Sequence, residues 1–234
     1  MQIVLMLLLA ATAPAVPTYE APFTKDEIKL DGRIDEQWKA AKWSRDFVDV
    51  TTGEKAEMRT RVKLMWDEKY LYVAAESEDH DIMATKRQRD AHLWEENAFE
   101  IFIDPDNDGE NYAEIQINPV NAILDLTVSK PYMVKGRANF DWNIDGIRSS
   151  VWVDGTVNDP ANNDTKWCAE MAIPLAAFKE LGGDAKAGAK WRVEMTRVLG
   201  PEGDASRAHW AWAPTGAINF HMPDKWGWVE FTRE

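Results

Sequence analysis

Trp94 stands in a polar stretch, Leu93-Trp94-Glu95-Glu96-Asn97, just ahead of an alternating segment. No core obviously needs an indole there. Its flat face can stack on the apolar face of a pyranose ring while neighbouring polar groups bond the hydroxyls. The plainer alternative is a rim tryptophan packed on a loop. Trp142, in the loop at 139–143, is a candidate for a second aromatic wall, and Trp210, Trp212 and Phe220 are aromatic residues of the closing segment. Trp210 and Trp212 are two residues apart and share one strand face, a spacing that suits a core equally well. Glu100, Glu114, Asn118 and Arg197 supply the carboxylates, amide and guanidinium that make directional hydrogen bonds. Arg197 fits a site or a strand-holding salt bridge. His221 fits a site, a structural role or a metal ligand.

Two other chemistries are open to the same residues. Glu95, Glu96, Glu100 and Glu114 offer the pair of carboxylates a glycoside-processing enzyme needs, a weak signal in a chain with 40 acidic residues. His221 and Met222, with Met65, Met83 and Met133, offer axial ligands for haem, although no Cys-x-x-Cys-His attachment motif is present. A metal-like segment runs from Asp104 to Asn111. Asp104, Asp106 and Asp108 alternate ahead of Gly109, which suits Ca²⁺, a hard cation bound by oxygen. It is not an EF-hand, because Ile115 stands where that loop carries its bidentate Glu. The same residues also make ordinary turns. Asn158–Asp164 is a weaker loop of this kind.

The elements that must position these groups read as short strands. Phe99, Ile101 and Ile103 alternate within Ala98–Asp104, and Ile115 and Ile117 alternate with Glu114, Gln116 and Asn118 within Tyr112–Asn118. Strict alternation marks a half-buried strand. Arg61–Trp66 and Tyr70–Ala75 form a strand pair around Asp67-Glu68-Lys69. Further strands are expected at Ile123–Val128, Ser149–Val153, Trp167–Ile173, Lys190–Arg197, Ala208–Trp212 and Trp226–Phe231. Asp154-Gly155 is a hairpin signal. Helical signals are limited to Asp35–Ala41, with Trp38 inward, and Pro174–Leu181. This pattern predicts an all-β, jelly-roll-like antiparallel β-sandwich of two sheets with few short helices. If the strands bearing Glu100, Glu114 and Glu194 are neighbours, their polar residues line one sheet face, which antiparallel sheets commonly leave to solvent.

The chain has 234 residues, 40 acidic against 27 basic, for a net charge of −13. That balance argues against a nucleic-acid partner. One cysteine, Cys168, excludes an intrachain disulfide framework and a multi-cysteine zinc site. The twelve tryptophans are the unusual feature; Trp38, Trp66, Trp167, Trp191 and Trp228 fit a core. Ile3–Ala11 is apolar but too short for a membrane span. With Ala13-Pro14-Ala15 behind it, it reads as a signal peptide over residues 1–15, and predicts a secreted or periplasmic protein with one domain over 22–234.

Several motifs together resemble family-9-like carbohydrate-binding modules of the DOMON-like superfamily. They are Leu30-Asp31-Gly32-Arg33-Ile34-Asp35-Glu36-Gln37-Trp38, Leu64–Ala75, Leu93–Pro105, Asn111–Asn118 with Asp125-Leu126, Trp167–Pro174, Trp191–Arg197 and Asn219–Gly227. The resemblance spans about Ile28 to Phe231. It implies a two-sheet β-sandwich that binds a plant or bacterial polysaccharide or oligosaccharide without catalysis, in some members with calcium. Trp94 falls at a sugar-stacking position, Trp210, Trp212 and Phe220 fall in the closing segment where the resemblance implies a second aromatic wall, and Glu95, Asn97 and Asn219 fall within the matching segments. Relatives on the broad fold bind haem, so fold alone does not fix the ligand. The implied partners are a glycan and glycoside hydrolases on separate chains.

Overall fold

A computed structural model describes residues 16–161 and 163–233. The expected signal peptide over residues 1–15 lies outside the described residues. The strands are β1 (Thr18–Pro22), β2 (Val48–Asp49), β3 (Thr60–Trp66), β4 (Tyr70–Glu78), β5 (Ala98–Asp104), β6 (Tyr112–Ile117) and β7 (Ile123–Val128). They continue with β8 (Ala138–Asn139), β9 (Arg148–Asp154), β10 (Lys166–Pro174), β11 (Lys190–Leu199), β12 (Ala208–Ala211) and β13 (Gly227–Thr232). The larger sheet runs β1-β13-β11-β5-β6-β7-β8, with β12 pairing β11 and β2. The smaller sheet runs β3-β4-β10-β9. Among the described residues the β1–β13 pairing is parallel and the other pairings of named strands are antiparallel.

The main core lies between the sheets. Phe99, Ile101, Ile103, Ile115 and Ile117 meet Leu64, Val73, Met171 and Ile173 there. Alternation has put these side chains on one face of each strand and the polar ones on the other. Trp38, Trp66, Trp167, Trp191, Trp210, Trp212 and Trp226 are all buried. Trp228 differs from its expected core place. It is half-buried on the outer face of β13, with the Arg192 guanidinium 4.1 Å above its ring. The Asp154-Gly155 signal does not make a tight hairpin: β9 ends at Asp154 and its pairing partner β10 begins only at Lys166.

The segment before β3 crosses the outside of the small sheet and is pinned by one carboxylate. Glu170 on β10 is fully buried; its Oε1 accepts from Trp38 Nε1 at 2.6 Å, and its Oε2 from the amides of Asp31 and Gly32 at 2.8 and 2.6 Å. Gly32 has φ +82°, and a Cβ there would lie 2.4 Å from the Trp152 amide nitrogen, so the close approach requires glycine. The helical signals become short 3-10 turns, Glu36–Trp38 and Leu175–Leu181. Among the described residues no helix is long and apolar enough to cross a membrane.

Candidate functional site

The outer face of the larger sheet carries the site. Register places Glu100 opposite Thr196 and Gln116, and Phe102 opposite Glu114. The polar residues of β5, β6 and β11 therefore do share one face, as their spacing allows. That face is not solvated. Glu100, Glu114, Gln116 and Thr196 are buried, because the turn at 93–95 and the loops around 130–142, 200–207 and 216–226 close over it. A second apolar cluster around Phe102, Tyr112, Leu126 and Trp226 fills the rest.

Between these loops lies a cleft of about 640 Å³. Trp94 and Phe140 form part of its wall, with ring centroids 6.1 Å apart. His92 backs Trp94 in a stacked pair at 4.3 Å. Tyr132, Phe220 and Ile218 add apolar surface, and Glu100, Glu114, Asn219, His221, Arg207 and His209 supply the polar groups. Arg207 donates Nη2 to the Trp94 carbonyl, tying the turn that carries the indole to the far side of the cleft.

The carboxyls are unusual. Glu100 Oε2 accepts from Thr196 Oγ1 at 2.8 Å, and Glu114 Oε1 from Gln116 Nε2 at 2.6 Å. Burial raises the pKa of both, and Glu100 raises that of Glu114 further. Burial acts oppositely on His221, which is pushed down to about 4 and stays neutral. Its Nδ1 hydrogen-bonds with the Tyr112 hydroxyl at 2.9 Å, and its Nε2 lies 3.9 Å from Glu114. Arg207 is also lowered by burial, partly offset by Glu100, Glu202 and Glu95.

This arrangement predicts the pH dependence of stability. Folding raises the pKa of Glu100 and Glu114 above the ordinary carboxyl value of 4.5, so their contribution is fully present below that value and is lost as pH rises through the folded pKa. Glu114→Gln should therefore gain melting temperature relative to wild type as pH is raised from 5 toward 9. A difference that does not grow across a series of melts would remove this account.

Six of the residues singled out by sequence meet at the cleft: Trp94, Glu100, Glu114, Asn219, Phe220 and His221. The others do not line it. Trp212 and Trp210 are buried in the main core, facing away from the cleft. Trp142 is half-buried against the same core. Arg197 is fully buried, donates to Asp79 Oδ2 at 2.8 Å, to Thr60 and to the Glu78 carbonyl, and so joins the two sheets. Asn118 caps its own turn by accepting from the Val120 and Ala122 amides. Asn97 accepts from the Gly200 amide at 2.7 Å. Glu95 pairs with Lys86 at 2.7 Å. Asn97 and Glu95 border a separate groove.

Arg207, His209, Tyr132 and Phe140 join the cleft without having been singled out. The alternation that turns Trp210 inward turns His209 outward, opposite Val198 on β11. That period was the available signal for His209. Tyr132 and Phe140 lie in loops, where no period exists to place them.

Comparison with known proteins agrees with this architecture. A solved family 9 carbohydrate-binding module from Caldicellulosiruptor kristjanssonii, in complex with cellotriose, aligns with a TM-score of 0.64 at 16% identity, covering 93% of this chain and 95% of that one. A putative carbohydrate-binding protein from Bacteroides uniformis ATCC 8492 aligns with a TM-score of 0.70 at 14% identity, covering 93% and 100%. In sequence, 85 residues are 39% identical to endo-1,4-beta-xylanase C of Paenibacillus barcinonensis, and 88 are 32% identical to exoglucanase XynX of Acetivibrio thermocellus. Each match takes 36% of this chain and 7% of the relative, so the aligned part is a small fraction of either enzyme. The profile described as "Carbohydrate family 9 binding domain-like" matches residues 30–233, from the Asp31-Gly32 turn through β13, and the chain belongs to that family.

Proposed function

We infer that this protein binds a polysaccharide or oligosaccharide in the cleft on its larger sheet and does no chemistry on it. The observation that carries the reading is the cleft's construction: a half-exposed Trp94 braced by His92 and Phe140, over buried groups that form directional hydrogen bonds. An aromatic platform contacts a sugar ring at little entropic cost, and the floor fixes its orientation. A glycan array followed by calorimetric titration with the best soluble oligosaccharide tests the reading. One-to-one binding with no release of reducing sugar is expected; no binding to any glycan overturns it.

Calcium is the cation that Asp104, Asp106 and Asp108 would hold. Their ligand oxygens lie within 4.8 Å of one another, an all-carboxylate set suited to a hard cation. Burial and the neighbouring Asp106 push Asp104 up to about 6, a cost that a bound cation would offset. Saturating Ca²⁺ should raise the melting temperature by roughly 5 °C. Asp106→Asn with Asp108→Asn should abolish that rise; equal melts with Ca²⁺ and with chelator would exclude the site. The protein's place of work is secreted or periplasmic, beside glycoside hydrolases on other chains. The apolar leader pattern of residues 3–11 supports that placement.

A further inference from the structure

Of the large apolar side chains left exposed among the described residues, only Val16 and Met83 lie elsewhere; Tyr132, Met133, Val134, Phe140 and Ile218 stand on two loops at the mouth of the cleft. Met133 is 75% exposed, Ile218 70% and Val134 57%. The loops touch: Asn219 Nδ2 lies 3.3 Å from Met133 Sδ, and the Tyr132 and His221 rings are 4.5 Å apart. The patch is therefore continuous.

The tip is held out by its own backbone. Ser129 donates to the Arg137 carbonyl at 3.0 Å, and Val134 and Gly136 to the Pro131 carbonyl at 3.0 and 3.1 Å. A Cβ at Gly136 would lie 1.5 Å from the Lys130 carbonyl oxygen, so the turn closes only with glycine there. A cluster of exposed apolar side chains on one tip marks an interaction surface.

Charge indicates which partner. On a chain of net charge −13, this segment carries Lys130, Lys135 and Arg137 against Asp141. None of the three basic groups forms an ion pair among the described residues, and Lys135 and Arg137 are exposed. Tyr132 and Phe140 line the cleft, but Met133 and Val134 lie outside it; they do not supply the flat stacking surface a sugar ring uses, and a neutral glycan has no use for the basic flank. Aliphatic residues flanked by Lys and Arg match the boundary between anionic headgroups and acyl chains.

We propose that the 130–140 loop and Ile218 dock on an anionic lipid surface, with Met133, Val134 and Ile218 entering the acyl boundary and Lys130, Lys135 and Arg137 meeting the headgroups. Docking turns the mouth of the cleft toward that surface. The inference stands on the rim and does not depend on which glycan the cleft holds.

Co-sedimentation with vesicles tests it. The protein should bind phosphatidylcholine–phosphatidylglycerol vesicles at low salt at least tenfold better than phosphatidylcholine alone. Met133→Asp with Val134→Asp should remove most of that binding. Lys135→Glu with Arg137→Glu should weaken it and flatten its salt dependence. Unchanged melting temperature in both double variants would show that the fold is intact. Equal binding to neutral vesicles, no vesicle binding, or binding indifferent to both variants overturns the proposal. Retention on insoluble polysaccharide that the same variants abolish, without vesicle binding, would overturn it and assign the patch to glycan.

Discussion

Trp94→Ala should lower the affinity for the protein's best soluble glycan by roughly thirtyfold or more, equivalent to about 2 kcal/mol, the scale of an aromatic hot spot. The indole is half-exposed and sits on the turn at 93–95, so its loss removes a platform without emptying the core. The tie that holds this turn runs from Arg207 to the Trp94 backbone carbonyl, which alanine retains. Stability should therefore change little while binding collapses. Trp94→Phe, which keeps a smaller flat ring, should recover part of the affinity. Calorimetry on the three proteins, beside their melting curves, decides the matter. If Trp94→Ala keeps wild-type affinity, the ligand does not stack there.

The largest effect on stability should come from Glu170→Ala. Its carboxylate receives three donors, Trp38 Nε1 and the amides of Asp31 and Gly32, at a site closed to solvent. Alanine leaves the buried Gly32 amide, the part-buried Asp31 amide and the buried indole N–H without their acceptor, and opens space beneath the segment that crosses the small sheet. The expected loss is about 3–5 kcal/mol, a large share of the roughly 5–15 kcal/mol that holds such a domain together. Glu170→Gln should also destabilise, since its amide presents a donor to groups that are already donors. Burial raises the pKa of Glu170, and the three donors work against that rise. Urea denaturation followed by tryptophan fluorescence gives the midpoints. A loss below about 1 kcal/mol for alanine would show that the carboxylate does not pin the segment.

The strands of the sandwich were legible because each carries its own periodic record. Phe99, Ile101 and Ile103, or Ile115 and Ile117, state their inward face without reference to any other element. The alternation also put Glu100, Glu114 and Glu194 on one outer face. It could not show that loops would bury them, because burial of that face depends on segments such as 130–142 that have no period of their own. The same limit explains the aromatic walls. Trp210 and Trp212 drew notice by type, yet both point into the core, while His209, just before them, faces the cleft. Arg197 was readable as a site group or a salt bridge, and only the Asp79 carboxylate across the sheet gap decides for the bridge. Glu170 shows a long-range dependence: Asp31, Gly32 and Trp38 form one motif, the glutamate another, and their partnership crosses most of the chain.

The parallel pairing of β1 with β13 has a consequence for assembly. Thr18–Pro22 align with Trp228–Thr232, so an early strand depends on the last one for its main-chain hydrogen bonds. During synthesis from the ribosome β1 must wait as an unpaired edge until β13 has emerged. The sheet is then completed by a single closure of very high sequence separation, the kind that slows folding. A chaperone acting before that closure would meet a chain whose larger sheet cannot yet be finished.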